Sequence, residues 1–65
     1  VGEITFSPIK VKDIITFTGE TLFEVYDSYA NIVKKGYGEK VDVTNLKKGI
    51  YYLNYDNKTE TFVKK

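Results

Sequence analysis

Thr44-Asn45-Leu46-Lys47-Lys48-Gly49-Ile50-Tyr51-Tyr52-Leu53-Asn54-Tyr55 is the stretch whose reading decides the fold. From Ile50 onward the side chains alternate, with Tyr51, Leu53 and Tyr55 on one face and Ile50, Tyr52 and Asn54 on the other, which is the period of a strand. The segment before it is a turn closed by Gly49, a residue free to take a positive φ and send the chain sharply into the next strand. Leu46 is placed to plug the end of a core beneath that turn. Tyr51 points inward with its hydroxyl near the rim, the arrangement of a corner tether to a backbone group in Greek-key sandwiches. Downstream, Asp56-Asn57 supplies two residues that tolerate left-handed φ, which suits a two-residue hairpin loop returning through Thr59 to Val63.

Working upstream, Val41 and Val43 flank Asp42 in a brief strand, and Gly36-Tyr37-Gly38 reads as the end of another at Ile32 to Lys35. Asp27 to Asn31 is turn-prone and joins that strand to Leu22–Tyr26 as a short hairpin, with one helical turn over Asp27 to Lys35 as the alternative. Leu22 to Tyr26 alternates, turning Phe23 and Val25 to one side. Thr18-Gly19-Glu20 reads as a turn before it. Gly2 to Phe6 and Val11 to Phe17 form two edge-type strands divided by Ser7-Pro8, where proline fixes φ and removes a donor. About seven short strands without a helical period predict an all-β chain, a small Ig-like antiparallel β-sandwich spanning residues 1–65 as a single domain. Tyr51, Leu53, Phe62, Val25, Phe23, Ile15 and Phe17 supply most of its expected core.

Composition agrees and removes several classes of function. Six Tyr and four Phe accompany many β-branched residues, the types that suit a pleated, half-buried surface. With no Cys and no His there is no disulfide, no thiolate or imidazole metal site, and no usual nucleophile and base. Paired carboxylates such as Glu24 with Asp27, or Asp13 with Glu20, need a pocket to separate their pKa values, and a domain this small uses its interior for packing. No catalysis is expected. Asp27, Asn31, Asp42, Asp56 and Asn57 offer calcium-type oxygens, but turn formation accounts for them and no metal or cofactor is expected.

The ten basic residues stand against nine acids, and every one of them is lysine. Nucleic-acid binding needs clustered excess charge and favours arginine, so it is not expected. No apolar run approaches the ~20 residues that span a bilayer. Lys34-Lys35 and Lys47-Lys48 sit beside turns, where charge keeps strand edges from pairing with other chains. Tyr26, Tyr52 and Tyr37 present rings that suit either cross-strand packing or stacking on a glycan. The chain opens on Val1 rather than on Met, which reads as a fragment of a longer product.

From Phe23 onward the sequence resembles the C-terminal sorting domain of type IX secretion cargo, a family of the Bacteroidetes. The family's opening strand, apolar-x-apolar followed by Tyr and Asp, matches Phe23-Glu24-Val25-Tyr26-Asp27. Ala30-Asn31-Ile32-Val33 matches its short turn and Val, with Ala30 and Asn31 in place of the usual Gly and Arg. Its most specific run, an Asp between apolar residues, then Ser or Thr and Leu-x-x-Gly-x-Tyr-x-Leu, appears as Val41-Asp42-Val43-Thr44, then Leu46, Gly49, Tyr51 and Leu53. Phe62-Val63-Lys64-Lys65 matches the closing apolar pair and basic end. Pro8 and Val11 to Phe17 resemble the opening Pro-Asn-Pro segment and first core strand, with Ile9 and Lys10 where Asn and the second Pro stand.

The resemblance implies a sorting signal that directs an attached N-terminal cargo domain through the outer membrane. Its implied partners are the outer-membrane type IX translocon and a sortase-like peptidase that acts before or near Val1. Its implied route is the periplasm in transit, then the cell surface or the exterior. Phe62, Val63, Lys64 and Lys65 become the expected recognition residues, with the final hairpin offered to a receptor as an edge strand with a positive tip. Asp42, Leu46, Gly49, Tyr51 and Leu53 become the structural motif. The alternative is an Ig-like accessory module of a secreted enzyme that binds glycan or a neighbouring domain.

Overall fold

The alternating runs fold into six strands in the computed structural model, which describes residues 3–65. They are β1 (Phe6–Ser7), β2 (Lys10–Val11), β3 (Ile14–Tyr26), β4 (Ile32–Asp42), β5 (Gly49–Tyr55) and β6 (Lys58–Lys64). No described residue is helical, and Asp27 to Asn31 is the hairpin turn between β3 and β4. Gly2, expected in the first strand, and Val1, expected near a cleavage point, lie outside the described residues. The strands run β1-β3-β5-β6-β2 across the sheet, with β4 paired to β3. All pairings are antiparallel except that of β2 with β6.

Two expected turns are strand instead. Thr18-Gly19-Glu20 lies inside β3 and Gly36-Tyr37-Gly38 lies inside β4. The pair forms one long hairpin with a break in register: Thr16 faces Lys40 and Thr21 faces Gly38, so Phe17 to Glu20 stand against Glu39 alone. Such a bulge bends a strand without ending it. The size of the bend can be read from two rings on β3. Phe17 and Phe23 would sit ~20 Å apart along a straight strand at ~3.3 Å per residue, yet their ring centroids are 5.7 Å apart. β3 therefore folds over itself, carrying β1 on its first half and β5 on its second, while β4 follows it around.

The folded sheet encloses a sandwich core of Val11, Ile15, Phe17, Phe23, Val25, Val41, Val43, Tyr51, Leu53, Tyr55 and Phe62, with Ile4, Phe6 and Leu46 packed against it. All seven residues expected in the core are there. Inside the bend, the Tyr55 ring lies 5.3 Å from Phe17 and 5.5 Å from Phe6, the latter edge-on. The Tyr55 hydroxyl donates to Glu60 Oε2 at 2.6 Å, which satisfies the polar end of a side chain that is only 2% exposed. Burial first, and then this bond to a carboxylate, push the Tyr55 pKa well above the ordinary tyrosine value.

Each glycine of β4 has a local cause. Gly36 is the cross-strand partner of Phe23, and a Cβ built there would meet Phe23 Cζ at 3.0 Å. The ring occupies the space a side chain would need, an aromatic covering a strand glycine. Gly38 has a φ of 149° directly beside the break, a value that L side chains rarely adopt. The β5–β6 turn is as expected, with Asp56 and Asn57 at φ 47° and 62°, the left-handed pair of a tight hairpin loop. Gly36→Ala is expected to lower stability by about 1 to 3 kcal/mol through overpacking against Phe23. Urea unfolding checks this, and an unchanged midpoint would show that the ring moves aside without cost.

Candidate recognition site at the closing corner and last strand

Between β4 and β5 the chain turns through Val43 to Lys48. Asp42 opens the turn by accepting the Thr44 amide on Oδ1 at 2.8 Å, and the Leu46 amide bonds the Val43 carbonyl at 3.0 Å. Leu46 is thereby directed onto the core. The Tyr51 hydroxyl donates to the Lys47 carbonyl at 2.7 Å, so the first inward side chain of β5 ties down the turn that precedes it. Its ring stacks on Phe62 with centroids 5.6 Å apart. Through that stack the corner is coupled to the last strand.

Gly49 starts β5 with a φ of 151°, and nothing lies within 4 Å of a Cβ built on it. The requirement for glycine is therefore one of backbone conformation and not of space. Leu53 is fully buried at the centre of β5. Asp42, Leu46, Gly49 and Tyr51 thus belong to the corner, while Leu53 lies farther along β5 opposite Val25 and Glu60. The β3–β4 turn closes nearby on Asp27, which accepts the Tyr29 and Asn31 amides on Oδ1, each at 2.9 Å, and Asn31 Nδ2 on Oδ2 at 3.5 Å. Within it Ala30 adopts a φ of 68°, a conformation natural to glycine. That explains why glycine is the usual residue at this point of the pattern.

β6 departs from the expected display. Its last residues are paired on both sides: Gly49 and Ile50 of β5 face Lys64 and Val63, while Lys10 and Val11 of β2 face Val63 and Lys64. The Val63 amide bonds the Ile9 carbonyl and the Lys65 amide bonds the Val11 carbonyl, both at 2.8 Å. The end of the hairpin is therefore an interior strand and not an open edge, because the segment after Pro8 returns to cover it. Nor is the tip a pair of free lysines. Lys64 is 7% exposed and its Nζ donates to the Lys65 main-chain oxygen at 2.9 Å. Phe62 is fully buried, and of the four residues only Lys65 is exposed, with Val63 half-buried.

A family model for the secretion system C-terminal sorting domain matches residues 7–65. The chain belongs to that family. The match runs from β1 to the end of β6, so the sorting domain's pattern takes in the covering strand β2 and the break in β3 as well as the corner. No curated protein and no solved structure shows a significant match to the chain. The family is one of sorting signals for type IX secretion and not of catalysts, and such a signal implies an N-terminal cargo and export across the outer membrane. No helix of the described residues is long and apolar enough to cross a membrane.

Residues outside the predicted set also shape the site. Val11, Val41, Val43 and Tyr55 join the core. Tyr55 was legible in the alternation of β5, whereas Val11 sits in a two-residue strand whose partner is 53 positions downstream, and no local pattern reports such a pairing. The tyrosines weighed as a glycan platform do not form one row. Tyr26 and Tyr52 are cross-strand partners, but Tyr37 pairs with Leu22, and the Tyr26 hydroxyl is held by Glu24 Oε1 at 2.9 Å. The comparisons give no support to the accessory-module alternative.

Two outcomes follow from the corner. Gly49→Ala and Gly49→Val are both expected to cost about 1 to 3 kcal/mol, since strain at a special φ acts on either while open space penalises neither; a much larger loss for Val than for Ala in thermal melts would show steric conflict instead. The Asn31 amide, ahead of the Tyr29 amide and the Asn31 side chain, holds the Asp27 carboxyl below the usual aspartate range. A depressed folded pKa gives stability that is present above the unfolded pKa near 4 and is lost as pH falls through the folded value. Asp27→Ala should therefore show a smaller drop in urea midpoint between about pH 5 and pH 2 than the parent domain, and parallel curves would remove Asp27 from the acid response.

Proposed function

We propose that this domain is the C-terminal address of a cargo protein, carrying whatever is attached to its N-terminal side through the periplasm to the outer-membrane type IX translocon and on to the cell surface or the exterior. The observation that carries this reading is the family match over residues 7–65. The fold supports it in a physical way. The interior of the small sandwich is packed side chain against side chain, which suits a ligand for the export machinery and a substrate for a sortase-like peptidase upstream of it.

In this reading the recognition residues Phe62, Val63, Lys64 and Lys65 divide by exposure. Phe62 anchors the strand by packing on Tyr51, and Lys64 is buried with its Nζ turned onto the Lys65 oxygen. Val63 and Lys65 are the side chains a receptor can touch. Deleting the last residues is therefore a poor test, since it removes a fully buried ring and unfolds the label.

A fluorescent reporter followed by residues 1–65, expressed in a type IX-competent member of the Bacteroidetes, is expected to reach the cell surface or medium, and to remain inside a strain that lacks the translocon. Lys65→Glu is expected to reduce delivery while leaving the melting temperature of the purified domain unchanged. Retention of the parent fusion in the periplasm of the competent strain would overturn the reading.

A further inference from the structure

From Ser7 to Ile14 the chain buries a single side chain. Val11 is 1% exposed, and every other residue of the segment is open to solvent. The Ser7-Pro8 peptide at its start is cis, and a bend at Lys12-Asp13 closes it. The segment's ends are held by the backbone, Ser7 opposite Thr16 and the Asp13 carbonyl taking the Val43 amide at 2.8 Å, and between them Ile9 to Val11 cover an important place. Its carbonyls at Ile9 and Val11 take the amides of Val63 and Lys65, and its two-residue ladder with Val63 and Lys64 is the one parallel pairing of the sheet. Earlier along the same outer edge of β6, Lys58 to Phe62 have no strand beside them among the described residues. The edge is thus covered only at Val63 and Lys64, the end that closes the family's pattern.

We propose that β2 is a displaceable strap over a strand-addition site: Ile9 to Val11 hold the end of β6 in the free domain and give way to an extended peptide segment of the export machinery, which then pairs with the outer edge of β6 along its length. The inference rests on the sorting reading and supplies the class of partner for it. The edge is already shaped to accept a strand, because β2 occupies it with regular backbone bonds of 2.8 Å. A short parallel pair is the less stable kind of ladder, and an incoming segment that spans Lys58 to Lys65 forms more main-chain bonds than the strap it displaces. The two states exclude each other, so the partner shifts the population by its preference for the open edge. Until then the strap protects the edge from pairing with other chains.

The parent chain contains no cysteine, so Lys10→Cys combined with Val63→Cys gives one defined disulfide between register partners. In the reporter fusion, the oxidised double variant is expected to reach the surface at least about tenfold less than the same variant with its disulfide reduced, with its melting temperature equal or higher, because locking the strap leaves less than about a tenth of the binding-competent population. Equal delivery of the oxidised and reduced double variant, with the parent delivered, overturns the strap and leaves the sorting reading standing. Failure of the parent to be delivered overturns the sorting reading and the strap with it.

Hydrogen exchange on the purified domain decides the matter even where the disulfide disturbs folding. The Val63 and Lys65 amides are expected to exchange about tenfold or more faster than those of Tyr51 to Leu53, as in a local opening, and Val11→Thr should speed those two selectively. Exchange of Val63 and Lys65 at the rate of the β5 amides would show that β2 opens only on global unfolding, and would overturn the proposal.

Discussion

Everything in this domain is arranged around the fold of β3 upon itself. Phe17, at the start of the register break, and Phe23, beyond it, meet at 5.7 Å, and Tyr55 and Phe6 complete the group from neighbouring strands. Without that contact β3 and β4 would be one long flat hairpin with both faces wet. With it, one strand serves both halves of the sandwich, and a chain of 65 residues encloses a core that would otherwise need more strands. Domains of this size bury only ~60% of the surface of the unfolded chain, so a strand shared between two layers is an economical solution. It also explains the polar and glycine residues at the break, which are tolerated because the ring packing supplies the stability that local pairing loses.

The second organising feature is the chain of contacts that links the corner to the terminal strand. Lys47 is tied to Tyr51, Tyr51 is stacked on Phe62, Phe62 precedes Val63 and Lys64, and these pair with β2 on their far side. Residues far apart in sequence are thereby made to depend on one another. The β4–β5 turn and the end of β6 are thus joined by direct contacts through Tyr51 and Phe62. The corner is both a turn and a support for the strand packed against it.

Charge plays a smaller part than the lysine content suggests. Lys64 is turned back onto the main chain, and Lys58 lies over the Tyr55 ring at 5.1 Å. β4, which among the described residues pairs only with β3, carries Lys34, Lys35 and Lys40, and charge on an edge strand discourages joining with another chain. The distribution protects edges that a two-layer fold of this size leaves exposed.

Much of this architecture was legible in the residues themselves. Alternation named the inward faces of β5 and of the second half of β3, Asp56-Asn57 marked its hairpin, and Gly49 and Tyr51 marked the corner, because each of these depends on neighbours within a few positions. The family likeness was readable for the same reason, since its motif is a set of local roles in a fixed order. What the sequence could not decide was how far a strand continues and what lies beside it. Gly19, Gly36 and Gly38 look like turn residues until Phe23 is seen to cover Gly36 and the break to bend β3 without reversing it. The covering of β6 by β2, and the burial of Lys64 that accompanies it, depend on Val11 meeting a strand more than fifty residues away. Such pairings are set by which layer closes over which, a choice made by the packed core as a whole and by no stretch of the chain alone.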